Sequence, residues 1–320
     1  MEKRINNVLT LMDDKSYLRN QLFKLFAIDS IEGIKFYYSM GEKSKIPFFG
    51  KFFKKLMESY YKNVHTSAIK LPLKDIEQVV NESYHVSVGP CPCRIIFGED
   101  NQCDDPVFTC LKINHFSKFT TKLQKIAGKL NEEKGLELGN KNSKVLSKKE
   151  AIDLIRNARK RDLIISLESC IQPYQNNICL CCTDCCIELN LRYKFGLDVS
   201  PRGPYKPSFD INECSGCNDC ISRCPVQAIK RSGEKKSFYA DMEICLGCGI
   251  CAENCPGDAI SMEVDKTSLP SMKKPGRIKR IYIYLILITM YSLFRIHKRT
   301  TKNENFKYFQ AQPKPNDMIQ

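Results

Sequence analysis

The chain has 320 residues, 42% of them hydrophobic, which is enough for two or three domains with at least one ordinary core. Its formal net charge of +14 is unevenly spread: residues 208–265 carry 5 basic and 10 acidic side chains, and residues 266–320 carry 12 basic and 2 acidic. With 18 cysteines and an opening MEKRINNVLT that lacks the apolar core of a signal peptide, the composition argues against a secreted disulfide framework and for metal chemistry in a reducing cytoplasm.

Residues 1–83 read as a basic, mainly helical region. Leu18, Leu22, Leu25 and Phe26 follow helical spacing, and Gly41, Pro47 and Gly50 divide the region into pieces. In residues 46–61, IPFFGKFFKKLMESYY, Phe48, Phe49, Phe52, Phe53, Leu56 and Met57 are interleaved with lysines. The expectation is a core-facing helix with its lysines in water, the alternatives being a membrane surface or a partner helix. Residues 72–83 predict one more short helix.

A cysteine-rich domain is expected over residues 84–200. His85 to Val88 alternates as a strand that delivers Gly89 and Pro90 to a turn, followed by Cys91-Pro-Cys93-Arg94. Residues 117–130 are a candidate helix. Residues 147–162 are a stronger one, because Ser147 and Glu150 form a capping box ahead of Ala151, Ile152, Leu154, Ile155 and Ala158. Residues 163–167 suit a buried strand, and a loop from Gln172 to Asn177 leads into the dense run CLCCTDCC at residues 179–186.

Next come CSGCNDCISRCP at residues 214–225 and CLGCGICAENCP at residues 245–256, two copies of Cys-x2-Cys-x2-Cys-x3-Cys-Pro at an offset of 31. Zinc ribbons need only paired Cys-x2-Cys knuckles, so a third evenly spaced thiolate followed by x3-Cys-Pro is surplus to one tetrahedral ion. The runs are those of two-cluster bacterial ferredoxins, and residues 209–264 resemble a bacterial-type 2x4Fe-4S ferredoxin domain. The pattern implies that the fourth cysteine of each run serves the other cluster. One cluster would be held by Cys214, Cys217, Cys220 and Cys255, the other by Cys245, Cys248, Cys251 and Cys224. Pro225 and Pro256 would redirect the chain after the fourth ligand, and Gly216 and Gly247 would let backbone amides approach the clusters. The resemblance implies a pseudo-twofold α+β unit of two hairpins and two short helices over residues 205–265, and the fold class expected for the chain is α+β, with a mainly helical N-terminal region before this unit.

Ten cysteines lie outside the two runs. Adjacent cysteines are poor packing material and good ligand material, so a third metal site is expected, an iron-sulfur cluster or zinc. Its candidate ligands are Cys91, Cys93, Cys181, Cys182 and Cys185, with Cys103 and Cys110 in reserve. Redox-active thiols without metal and inert buried cysteines are the alternatives. The order of motifs resembles iron-sulfur proteins of anaerobes in which CxCR and CxCC precede a 2x4Fe-4S domain.

Residues 281–294, IYIYLILITMYSLF, are uncharged and flanked by basic residues within the tail 266–320. A helix of that length spans about 21 Å, short of a ~30 Å hydrocarbon layer, so membrane attachment, a docked helix and an aggregation-prone stretch are its three readings. His65, His85, His115 and His297 show no metal-binding spacing, and no GxGxxG, Walker or GxSxG run is present. The expected function is electron transfer through two 4Fe-4S clusters to or from a partner oxidoreductase. The rival readings are a subunit of a redox enzyme with chemistry at the further cysteine site, and a redox sensor. The basic residues form no recognisable nucleic-acid motif, so nucleic acid is not expected as a partner.

Overall fold

The computed structural model describes residues 30–63, 69–97, 103–118, 120–122, 143–168, 177–233 and 237–265, with Ile286 and Thr289. The expected helix around residues 18–26, Cys170 and all but two residues of the 266–320 tail lie outside the described residues.

Two helices open the described chain, α1 (Ser30–Lys43) and α2 (Gly50–Asn63), followed by strand β1 (Ile69–Lys70) and helix α3 (Leu73–Glu82). Then come β2 (Val86–Gly89), α4 (Pro92–Phe97), β3 (Cys110–Ile113), β4 (Lys144–Leu146), α5 (Lys148–Lys160), β5 (Ile164–Glu168), β6 (Asn177–Cys181) and α6 (Ile187–Tyr193). The remainder is β7 (Tyr205–Phe209), α7 (Asp219–Ser222), β8 (Ile229–Arg231), β9 (Phe238–Ala240), α8 (Ile250–Glu253) and β10 (Ile260–Val264). The mixture of helices and strands is the α+β class.

Strands β1 to β6 form one six-stranded sheet in the order β1-β5-β6-β3-β2-β4, with every pairing antiparallel. Because side chains alternate along a strand, the register sorts the sheet into two faces. One face carries Val86, Val88, Leu111, Ile113, Ile165, Leu167, Ile178 and Leu180, which form a core with Ile76, Val79 and Val80 of α3 and Ala151, Ile155 and Ala158 of α5. Each of the larger aliphatic side chains there stabilises the fold by roughly 1.5–3 kcal/mol through burial. Helix α3, expected as the end of the helical N-terminal region, is thus part of the sheet domain.

Helix α5 starts where the sequence places it. The Ser147 hydroxyl accepts from the Glu150 backbone N–H at 3.2 Å, and the Glu150 carboxylate accepts from the Ser147 N–H at 2.8 Å. After its last residue the chain turns at Asp162, which takes a positive φ of 58°.

The opposite face is polar. The same register brings Lys70, Ser87, Cys110, Lys112, Ile164, Ser166, Glu168, Cys179 and Cys181 together on it. A second helical core, built from Phe36 and Met40 of α1, Leu56, Met57, Tyr60 and Tyr61 of α2, and Ile187 and Leu191 of α6, lies on this side, with Ile286 packed against it. The segment at residues 46–61 divides between core and surface: Leu56 and Met57 are buried, whereas Phe48, at positive φ, is 98% exposed and Phe49 and Phe52 are also exposed. Among the described residues no helix is long and apolar enough to cross a membrane.

Beyond residue 204 the chain builds a smaller unit from two two-stranded sheets, β10–β7 and β8–β9. Its internal repeat is visible in the backbone. Three pairs of left-handed residues are related by 31 positions, namely Gly216 and Gly247, Asn218 and Gly249, and Gln227 and Asp258, and α7 and α8 follow the same offset.

Candidate metal centres

The two cysteine runs of the smaller unit wrap two cavities. The first is lined by Cys214, Cys217, Cys220 and Cys255 together with Phe209, Phe238 and Ile260. The second is lined by Cys224, Cys245, Cys248 and Cys251 together with Val226, Ile229 and Ile250. Each cavity therefore takes three thiols from one run and the fourth from the other, through the short helices α7 and α8 that carry Cys224 and Cys255 across. This donor set fits a four-iron cluster: four soft sulfurs and otherwise apolar walls.

Local backbone geometry serves the second cavity closely. The Gly247 N–H points to Cys245 Sγ at 3.4 Å and the Ala228 N–H to Cys224 Sγ at 3.3 Å. Burial pushes the Cys248 thiol up to about 11 and raises Cys251 and Cys245 as well, while Cys220 in the first cavity is pushed up to about 11 for the same reason. Such thiols stay protonated at neutral pH when free, so a bound metal would have to displace protons to engage them. A Cβ on Gly247 would fall 2.2 Å from the Tyr205 carbonyl oxygen, at a φ of +67°. Gly247→Ala should therefore cost more than the ~1–2 kcal/mol of left-handed backbone alone, and iron analysis of the purified variant should show the second cavity depleted and the first retained.

The two cavities face different surroundings. Cys217 of the first is exposed, whereas Cys245 of the second is buried. Leu246, Ile250, Val226 and Cys248 beside the second cavity pack with Ile164, Cys181, Cys186 and Leu189 of the sheet domain. Arg159 of α5 reinforces that contact, donating to the Cys248 and Leu71 carbonyls at 3.0 and 3.2 Å and pairing with Glu253 of α8 at 2.9 Å. Arg223, one residue before Cys224, pairs with Asp162 at 2.8 Å, and Tyr205 donates to Asp75 of α3.

With that geometry in hand, comparison with known families is decisive for this part of the chain. Residues 207–262 match the family model of the 4Fe-4S dicluster domain. The dicluster domain is an iron-sulfur, metal-binding, ferredoxin-type electron-transfer module. No curated protein matches the chain.

Upstream of the dicluster domain the remaining described cysteines fall into two groups, divided by the parity of β6. Cys179 and Cys181 lie on the polar face of the sheet, and Cys182, one residue further, turns to the other side, as adjacent residues of a strand do. Cys103, Cys182 and Cys185 gather with all three sulfurs within 4.8 Å of one another. On the polar side are Cys91, Cys93, Cys110, Cys179, Cys181 and Cys186. The five cysteines expected to share one site are therefore separated: Cys182 and Cys185 join Cys103, and Cys91, Cys93 and Cys181 stay with the polar face. Cys179 and Cys186 were not among the candidates. Their signal was the i, i+2 spacing of Cys179 and Cys181, which puts both on one strand face, and Cys186 closing the turn behind them.

Hydrogen bonds between neighbouring thiols, together with burial, set the electrostatics of the polar face. A hydrogen bond from Cys93, aided by the backbone and charge of Arg94, holds the Cys91 thiol down to about 6 despite its burial. Cys181 is raised by its hydrogen bond with Cys179 and by burial, and Cys186 by its bond with Cys181 and by burial. Burial, with the charge of Glu188 second, pushes the Glu168 carboxyl up to about 8. A carboxyl with a raised folded-state pKa contributes stability in full below its ordinary value of 4.5 and loses it as pH rises through about 8. Glu168→Gln should remove this slope. Urea denaturation should find the variant close to wild type near pH 5 and more stable above pH 8, by on the order of a few kcal/mol.

Proposed function

We propose that the protein is an electron carrier with two 4Fe-4S clusters, one held by Cys214, Cys217, Cys220 and Cys255 and the other by Cys245, Cys248, Cys251 and Cys224. A bound 4Fe-4S cluster takes up and gives back one electron at a time. The chain's own part is to fix four sulfurs around each cavity, to direct the Gly247 and Ala228 amides at sulfur, and to line the remaining walls with apolar groups. The observation that carries the reading is the exchange of cysteines between the two cavities, within a stretch that matches a dicluster family model.

The unequal surroundings supply a direction. Cys217 lies at the surface, so a partner oxidoreductase would dock on the side of the first cavity, while the second cavity abuts the polar thiol face of the sheet domain. Residues 208–265 carry an excess of acidic side chains, which suits a partner with a basic docking patch. For the apolar tail segment the docked reading is favoured over membrane attachment, because Ile286 packs against the helical core.

The full chain, purified without oxygen, should contain about eight irons and about eight acid-labile sulfides per molecule. After chemical reduction it should give the electron paramagnetic resonance signal of two magnetically interacting clusters. Zinc in both cavities, or a colourless protein after reconstitution with iron and sulfide, would remove the electron-carrier reading.

A further inference from the structure

The triad of Cys103, Cys182 and Cys185 differs from the cysteine sets of the dicluster domain in one measurable respect, the separation of its sulfurs. In a cubane each thiolate binds a different iron, so the ligand sulfurs stand well apart. Around a single tetrahedral ion with metal–sulfur bonds of ~2.3 Å they stand ~3.8 Å apart. Neither cavity of the dicluster domain has three sulfurs mutually within 4.8 Å, and among the described residues only this triad does. Cys103 Sγ and Cys182 Sγ are 3.6 Å apart, far beyond the ~2.05 Å of a disulfide.

We infer that Cys103, Cys182 and Cys185 form a site for one divalent metal ion of the zinc class, separate from the two clusters. The site joins two segments distant in sequence: Cys103 lies in the loop between α4 and β3, and Cys182 and Cys185 lie in the turn between β6 and α6. That turn is closed by the Cys186 N–H donating to the Cys182 carbonyl at 3.3 Å. Asp105 Oδ2 lies 3.8 Å from Cys103 Sγ, beside the triad but outside the group of atoms mutually within 4.8 Å.

The surroundings are built for negative charge. Arg94, 4% exposed, donates to the Pro106 carbonyl at 2.7 Å, to Thr109, and to the Leu180 carbonyl at 2.9 Å, so it ties the loop bearing Cys103 to the strand that leads into Cys182. It also lies 3.5 Å from Asp105 Oδ2, and Arg161 holds the other carboxylate oxygen at 2.8 Å. Arg94 thus lies close enough to act on Cys182 electrostatically, and with Arg161 it orients the neighbouring carboxylate, as outer-sphere partners of metal ligands do. The sulfurs are soft donors of the kind that hold zinc, and Cys182 and Cys185 pack into the first core.

The test uses the full chain purified anaerobically, with zinc, iron and acid-labile sulfide measured on one sample. About one zinc is expected beside the cluster iron, and Cys182→Ser/Cys185→Ser should lose that zinc while keeping iron and sulfide unchanged. Should the double variant fail to fold, zinc-edge X-ray absorption of the wild-type protein decides instead, the expectation being about three sulfurs at ~2.3 Å. The inference is overturned by wild-type protein without zinc, or by a zinc environment dominated by nitrogen and oxygen. It is equally overturned if about four further irons and sulfides are present and vanish in the variant, which would make the triad part of a third cluster. Because the cluster iron is counted in the same sample, failure of this site and failure of the electron-carrier reading are told apart.

Discussion

Cys255→Ala is expected to lower the iron content from about eight to about four, and the cluster it removes is the one bounded by the first cysteine run, not by its own. Cys255 lines the cavity with Cys214, Cys217 and Cys220, while Cys224 lines the other with Cys245, Cys248 and Cys251. The clean measurement is a pair of double variants. Cys217→Ala/Cys255→Ala should retain about four irons, because both substitutions strike one cavity, whereas Cys248→Ala/Cys255→Ala should retain almost none. If each run held its own cluster, the two results would be interchanged. Substitutions that act on one unit are non-additive and those on separate units add, so the comparison reads the ligand assignment without needing to tell the clusters apart by spectrum. The magnetic interaction between clusters should vanish in every variant that keeps only one.

Lys70→Met is expected to be the most damaging substitution outside the cysteines. Lys70 is fully buried, and its ammonium donates to Glu188 Oε2 at 3.0 Å and to the Ser200 hydroxyl. Its removal strands the Glu188 carboxylate, itself 5% exposed, close enough to Glu168 of the sheet for the two to repel. Breaking a buried pair from one side costs about 3–5 kcal/mol, while replacing both partners with apolar groups of similar volume recovers most of that loss. Urea denaturation should therefore place Lys70→Met far below wild type and Lys70→Met/Glu188→Leu between the two. Gly203 packs directly on the Lys70 carbonyl and donates its N–H to the Leu246 carbonyl beside the second cavity. The single variant should consequently also lose iron from that cavity on mild heating, before the first is affected.

Local chemistry made some of this legible in sequence. The capping box of Ser147 and Glu150 marks the start of α5 because both of its hydrogen bonds form within four residues. The repeat at an offset of 31 reappears in the left-handed pairs Gly216 and Gly247 and Asn218 and Gly249, since the tight cysteine loops demand that backbone wherever they occur. The strand at Val86 is visible in its alternation, and the strand after Leu163 in a short apolar run suited to burial on both faces. Their assembly was not visible. The six-stranded sheet pairs Ile69 with Leu167 and Cys110 with Cys179 across long stretches of chain, and no local window carries that register. For the same reason the density of CLCCTDCC announces ligands without saying which side of the sheet each sulfur reaches. A lysine in a two-residue strand gives no sign that Glu188 waits for it in the folded chain, and the phenylalanines at positions 48, 49 and 52 look like core material although the turn ahead of α2 and the first turn of α2 leave them exposed.

The end of α5 and the turn that follows it hold the dicluster domain at two points, through Arg159 on Cys248 and Glu253 and through Asp162 on Arg223, so each half of the pseudo-twofold is gripped within four residues of chain. A module fastened in this way cannot swing between donor and acceptor like a tethered shuttle. In the proposed carrier, exchange between the two clusters would occur over a fixed gap, and its rate should be indifferent to solvent viscosity. Only the encounter with the external partner should slow when the medium thickens.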